Sequence, residues 1–205
     1  MTLQSSPGWV RERIGCVSAS RMKDVLDFRK DGKPGAKRLQ YMAELVTERS
    51  MDQAVDHPIT LPMRRGLSEE PNALAAYEDR TGQIVAPARW VPHPRIPFAG
   101  STPDGFIGRE GLVEFKVPMP TTYTTWRMAG EIPAEHIPQL LFQCATTGRK
   151  WVDFCAYCPE ATDPRLRLFI RRFEPTAEQI ADIEQKAIEF LAEVEAAFEH
   201  YTESA

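Results

Sequence analysis

Over the first eighty residues the apolar positions recur at helical spacing. Met22, Val25, Leu26 and Phe28 form one short run, with Ser18 or Ser20 placed to cap it. The polar stretch Asp31-Gly-Lys-Pro-Gly35 breaks the pattern. A second helix is predicted over 36–51, on the stripe Leu39, Met42, Ala43, Leu45 and Val46. After a loop at Asp56-His-Pro-Ile-Thr60, a third helix is predicted from about Pro62 to Arg80. It stops at Thr81-Gly82, where glycine suits a left-handed cap. From Ile84 the spacing changes. Pro87, Pro92, Pro94 and Pro97 punctuate short extended pieces, which predicts a meander of antiparallel strands ending in the apolar run Leu112–Val117. A looser segment with Tyr123 and Trp126 leads to a helix over 134–147, then to strands over 150–158 and 165–173. In the last strand Leu166, Leu168 and Ile170 alternate with Arg165, Arg167, Phe169 and Arg171. A long amphipathic helix closes the chain, from Thr176 to about His200, with Thr176 and Gln179 resembling a capping box. This order of elements reads as an α/β, mixed α+β fold: one domain, residues 1–205, with a central mixed sheet flanked by helices.

The strand at Leu112–Val117 carries the chemistry. Side chains alternate faces along a strand, so Glu114 and Lys116 point one way while Val113, Phe115 and Val117 point into a core. Just upstream, Asp104 sits on the turn-forming Pro103-Asp-Gly105. Two carboxylates and an ammonium at one sheet edge are costly unless a divalent cation and a polyanion share the site. Asp/Glu-x-Lys alone says little, since Asp31–Lys33 and Glu184–Lys186 repeat it in a polar turn and on a solvated helix. The plain reading of Glu114 and Lys116 is a charged, wet strand face. Glu70 shares a helix face with Gly66, and Gln139 shares one with Gln143. Taken singly, each of these reads as a solvated helix residue.

At 205 residues, 42% hydrophobic and 26% charged, the chain is long enough to bury a substantial core. No apolar run is long enough to cross a bilayer. The N-terminus lacks the apolar centre of a secretory signal, which points to the cytoplasm. A net charge of −4 argues against a nonspecific nucleic-acid coat, but not against an enzyme whose carboxylates bind metal. Cys16, Cys144, Cys155 and Cys158 read as reduced thiols. Cys155 and Cys158 have metal-site spacing, yet they lie in a strand where neighbouring ligands alternate faces, so buried thiols account for them better than an iron–sulfur cluster. The four histidines form no zinc pair.

Five blocks, in order, resemble a known family. They are Arg13-Ile-Gly-x-x-Ser-Ala-Ser20; Gly66-x-x-x-Glu70 with Tyr77; Thr102-Pro-Asp104-Gly; Glu114-Phe-Lys116 with Pro118; and His136-Ile-Pro-Gln139-x-x-x-Gln143. From about Trp9 to Tyr157 the chain is similar to the lambda-exonuclease-type, YqaJ-like recombination nucleases of the PD-(D/E)xK superfamily. Thr102 stands where the family usually has serine, and His136 where it often has tyrosine. The resemblance implies a restriction-endonuclease-like core in which Asp104, Glu114 and the Phe115 carbonyl hold Mg²⁺ (or Mn²⁺), assisted by Glu70. It implies that Lys116 and Gln139 orient the attacking water, and that Arg13, Ser20 and Thr102 receive a 5′-terminal phosphate, with Ser20 at a helix N-terminus. The implied activity is 5′→3′ resection of one strand of linear duplex DNA, leaving 3′ overhangs for recombination. The implied partners are duplex ends, a homotrimeric ring and a single-strand annealing protein, with no membrane. In that setting Met51 or Met63 is a candidate wedge between bases, though core packing is its plainer role. The arginines Arg165, Arg171 and Arg172 are a solvated face or a contact to DNA or a neighbouring subunit. An endonuclease of the same fold and a non-catalytic DNA-binding protein are the alternatives.

Overall fold

A computed structural model describes residues 11–203. Trp9, where the resemblance begins, and both ends of the single domain expected over 1–205 lie outside the described residues.

Among the described residues, eight strands form two sheets. The larger has five strands: β2 (Val85–Pro87), β5 (Gly105–Ile107), β6 (Gly111–Lys116), β7 (Trp151–Tyr157) and β8 (Leu168–Phe173), in that spatial order. Its pairs are antiparallel except β6 with β7, which run parallel. A smaller sheet orders β1 (Val17–Ser18), β4 (Ala99–Ser101) and β3 (Val91–Pro92). The expected meander is therefore divided between two sheets. The proline-rich stretch after β2 carries the chain into the smaller sheet, and β5 returns it to the larger one.

Among the described residues, six α-helices surround the sheets: α1 (Met22–Val25), α2 (Ala36–Met51), α3 (Leu61–Thr81), α4 (Pro120–Ala129), α5 (Ile137–Thr147) and α6 (Ala177–Glu203). The parallel β6–β7 step needs a crossover, and α4 and α5 supply it. Three apolar clusters hold the layers together. Ala73 and Tyr77 of α3 pack on Val113, Phe115 and Cys155 at one face of the large sheet. Tyr123 of α4 and Leu140 of α5 pack on Leu112, Phe154 and Phe169 at the other. Phe142, on the opposite side of α5, joins Tyr41, Leu45 and Phe190 against the smaller sheet. Helix α5 is thus buried on both sides.

Several elements depart from the pattern-based expectation. The first helix shrinks to a 3₁₀ turn (Ala19–Arg21) and the four residues of α1, because Phe28 pairs back with Pro34 across the Asp31–Gly35 turn. In α2, Leu39 is exposed; Arg38, Tyr41 and Leu45 face inward, and Arg38 binds Glu193 of α6 at 2.7 Å. The looser segment is the helix α4, opened by Pro120 and closed by Gly130 in the left-handed conformation (φ 73°). Strand β8 starts only at Leu168, and Leu168 and Phe169 are both buried because layers cover both faces. Leu166 is exposed in a 3₁₀ turn before it. Met51 and Met63 are exposed, not core. The capping box does form: Thr176 N–H donates to Gln179 Oε1 (2.9 Å) and Gln179 N–H to Thr176 Oγ1 (3.2 Å).

Candidate active site

The β5–β6 hairpin brings the three charged residues together. Register pairs Gly105 with Val113, so Asp104 enters the sheet beside Glu114. Its Oδ2 accepts a hydrogen bond from the Phe115 amide at 2.6 Å. Glycine is required at 105, where an added Cβ would lie 2.1 Å from Val85 Cγ1. Glu114 is buried at 3% exposure on the face that meets α5, and α5 binds both its oxygens. Gln139 Nε2 donates to Oε1 and Gln143 Nε2 to Oε2, each at 2.6 Å. Lys116 Nζ donates to Glu114 Oε1 (2.5 Å) and to Gln139 Oε1 (3.2 Å). Gln139 and Gln143 lie four apart on one helix face, the spacing that lets two amides reach one carboxylate.

Glu70 arrives from the opposite layer. Tyr77 OH donates to the buried Asp153 of β7 (2.7 Å), which Arg172 also binds (2.9 and 3.0 Å), and this fixes α3 on the sheet. Asp153 is level with Val113 of β6. Glu70 lies two turns before Tyr77, about 10 Å along the helix. That carries it toward the Lys116 end of β6.

The electrostatics follow from this crowding. Burial first, then Glu114, pushes the Asp104 carboxyl well above the usual carboxylate range; Glu70 adds to this and Lys116 opposes it. Burial and Glu114 likewise raise Glu70. Burial disfavours the Lys116 ammonium, but Glu114 and Asp104 outweigh it and its pKa rises. Among the described residues no three His, Cys, Asp or Glu side chains form a ready-made cage. The donors that do gather are hard oxygens whose like charges resist ionising together, and a divalent cation beside them would relieve that repulsion. The residues present fit such an ion.

Arg13 and Ser20 both line a cavity of about 680 Å³. Thr102 is not among its lining residues, and its hydroxyl is buried without a hydrogen-bond partner among the described residues. Ser20 sits in the 3₁₀ turn before the four-residue α1, so the expected helix N-terminus offers few aligned amides. Arg13 lies over the Trp90 ring at 5.3 Å, and burial lowers its pKa. Arg21 and Glu44, which pattern reading did not single out, pair across the same cavity at 2.8 Å. Met63 and Thr60 at the start of α3 also line it, about two to three turns before Glu70.

His136 is packed against Trp126 and Phe154. Burial, then Lys116, lowers its pKa to about 3. An imidazole held neutral in the fold but free to protonate once unfolded lets the unfolded state take up the extra proton. Stability therefore falls as pH drops below about 6.5, by up to about 1.4 kcal/mol per pH unit, until about pH 3. His136→Phe is expected to flatten that limb, read as urea midpoints against pH.

All four cysteines are free among the described residues. Cys155 packs with Tyr77 and Cys158 with Tyr123, on opposite faces of the sheet, so the pair cannot chelate one cluster. Burial pushes the Cys144 thiol up to about 12 and raises Cys155 as well.

The profile of the YqaJ-like viral recombinase domain matches residues 8–150. The crystal structure of an alkaline exonuclease (LHK-Exo) from Laribacter hongkongensis is 37% identical and covers 97% of each chain, with a TM-score of 0.88. The structure of LHK-Exo in complex with dAMP gives the same TM-score and coverage at 36% identity. A phage-related exonuclease from Haemophilus somnus 129PT is 10% identical over 93% of this chain and 96% of that one, with a TM-score of 0.69, a likeness of fold alone. Together they place the architecture in the PD-(D/E)xK fold. No curated protein sequence matches.

Proposed function

Because this chain belongs to the YqaJ-like viral recombinase domain family, we propose that it is a divalent-metal-dependent exodeoxyribonuclease. It resects one strand of linear duplex DNA from a 5′-phosphorylated end, 5′→3′, and leaves a 3′ single strand for recombination. The observation that carries this reading is the Asp104–Glu114–Lys116–Gln139 network, in which a charged ammonium, two carboxylates and an amide meet at one strand end. The 37% identity to an alkaline exonuclease along almost the whole chain supports it.

Asp104, Glu114 and the Phe115 carbonyl would hold Mg²⁺ or Mn²⁺, with Glu70 assisting. Such an ion, when bound, acidifies a water and neutralises charge on the scissile phosphate. Lys116 stays charged between Glu114 and Gln139 and donates to oxygen on which negative charge gathers. Gln139 keeps its amide beside Lys116 to orient the attacking water, while Gln143 holds the far oxygen of Glu114. Arg13 and Ser20 receive the 5′-phosphate in the cavity at the head of α3, which Thr102 does not line. A trimeric ring around the duplex would keep an acidic protein on its substrate through many cycles. Delivery of the product strand to an annealing protein, in the cytoplasm, completes the reading. Among the described residues no helix is long and apolar enough to cross a membrane.

The test compares 5′-phosphorylated linear duplex, 5′-hydroxyl linear duplex and closed circle. The phosphorylated linear form is expected to be degraded fastest and the circle left intact. Cutting of the circle would favour an endonuclease of the same fold.

A further inference from the structure

The basic run in and before β8 is not one uniform face. Arg165 is paired with Asp163 (2.7 Å) and Arg172 with Asp153 (2.9 Å), while Arg167 donates to the Ala161 carbonyl. Arg171 has no carboxylate within ion-pair range among the described residues, and neither does Arg80 or Arg127. These three arginines come from different layers, Arg80 from α3, Arg127 from α4 and Arg171 from β8. They converge on a cavity of about 330 Å³, lined otherwise by Leu168, Phe169 and Ile170.

The cavity lies along the outer edge of β8, the end strand of the large sheet. An open edge normally offers its carbonyls to another strand. Here arginines already occupy two of them, Arg127 donating to Leu168 O (3.0 Å) and Arg171 to Ile170 O (2.9 Å), while Arg80 donates to Arg165 O (3.4 Å) in the turn before the strand. Strand addition is therefore disfavoured. A guanidinium has five N–H donors, so each arginine keeps others beyond these contacts. Three like charges around one cavity, in a chain of net charge −4, repel one another unless an anion joins them. Register also fixes how far this groove lies from the chemistry. Lys116 is level with Ala156 of β7, and Ala156 with Phe169 of β8, so the groove lies two strand spacings, about 10 Å, from the reacting end of β6.

We propose that the Arg80–Arg127–Arg171 groove binds the phosphate backbone of a single DNA strand beside the cleavage site. This rests on the nuclease reading above. Phosphate suits the planar guanidinium fork, and the shared level with Lys116 favours a strand that also reaches the site over an unrelated acidic peptide.

The test measures binding of a labelled thymidine oligonucleotide by anisotropy, without divalent ions, across a KCl series. Arg80→Gln/Arg171→Gln is expected to bind more weakly at low salt. The slope of log K against log[salt] should be shallower by about 0.7 for each phosphate no longer neutralised, about 1.4 for both. Arg80→Lys/Arg171→Lys should keep most of the slope, which a merely structural role would not predict. Arg127 is left in place because it also binds Tyr123 OH. An unchanged slope in the Gln variant, with wild type degrading duplex normally, overturns this site and leaves the nuclease reading standing. Wild type that neither binds the oligonucleotide nor releases nucleotides overturns both. Oligoglutamate that binds wild type but not the Gln variant, with the DNA slope unchanged, also overturns the proposal and assigns the groove to an acidic protein segment.

Discussion

Lys116→Ala is expected to slow nucleotide release from linear duplex by about 10²–10³-fold, the usual cost of removing one donor aimed at developing negative charge. Nζ sits 2.5 Å from Glu114 and 3.2 Å from Gln139, and Glu114 keeps the amides of Gln139 and Gln143 when the ammonium is gone. The local fold should therefore persist. The loss should appear in the rate measured with enzyme in excess over DNA ends, since Lys116 acts on the reacting group and not on the bulk of the duplex. Lys116→Met, which keeps the length of the side chain, should behave like alanine. A rate within threefold of wild type for both variants would remove Lys116 from the chemistry.

Asp104→Asn is expected to weaken Mn²⁺ binding by more than about 100-fold, beyond the 10–100-fold that loss of a supporting partner typically costs. Calorimetric titration reads this directly. Asparagine can still accept the Phe115 amide through its own oxygen, so the hydrogen bond that ties Asp104 to β6 is retained. What disappears is a carboxylate that burial and Glu114 already push toward its neutral form. The ion-free variant should be as stable as wild type at neutral pH, or more so. Weak ion binding together with full or raised thermal stability would mark Asp104 as a residue kept for function. Unchanged Mn²⁺ affinity would remove it from the ion site.

Most of this arrangement is legible in the chain, and the exceptions have physical causes. The period-two pattern of Leu112–Val117 correctly separates Glu114 and Lys116 from Val113 and Phe115, because side chains alternate along a strand. It does not show that Glu114 is buried, since layers cover both faces of the sheet. The four-residue spacing of Gln139 and Gln143 places both amides on Glu114, although Gln143 gains its meaning only once α5 is known to be buried on both sides. Helix α4 is hidden because Thr121, Thr122, Thr124 and Thr125 favour extended structure, and tertiary packing of Tyr123 overrides that preference. In β8 the alternation gives no account of burial, since packing on two sides buries consecutive residues. Of the arginine groove only Arg171 stands out in sequence, as part of the basic run with Arg165 and Arg172. Arg80, Arg127 and Arg171 are far apart along the chain, and it is Asp153 and Asp163 that neutralise their neighbours Arg172 and Arg165.

The most direct measurement is release of acid-soluble nucleotides from linear duplex DNA by the purified protein, first with Mg²⁺, then with excess EDTA, then with Mg²⁺ restored. The carboxylate–lysine site predicts release that stops on chelation and resumes on restoration. Release that continues in EDTA, or folded protein inert in both Mg²⁺ and Mn²⁺, contradicts it.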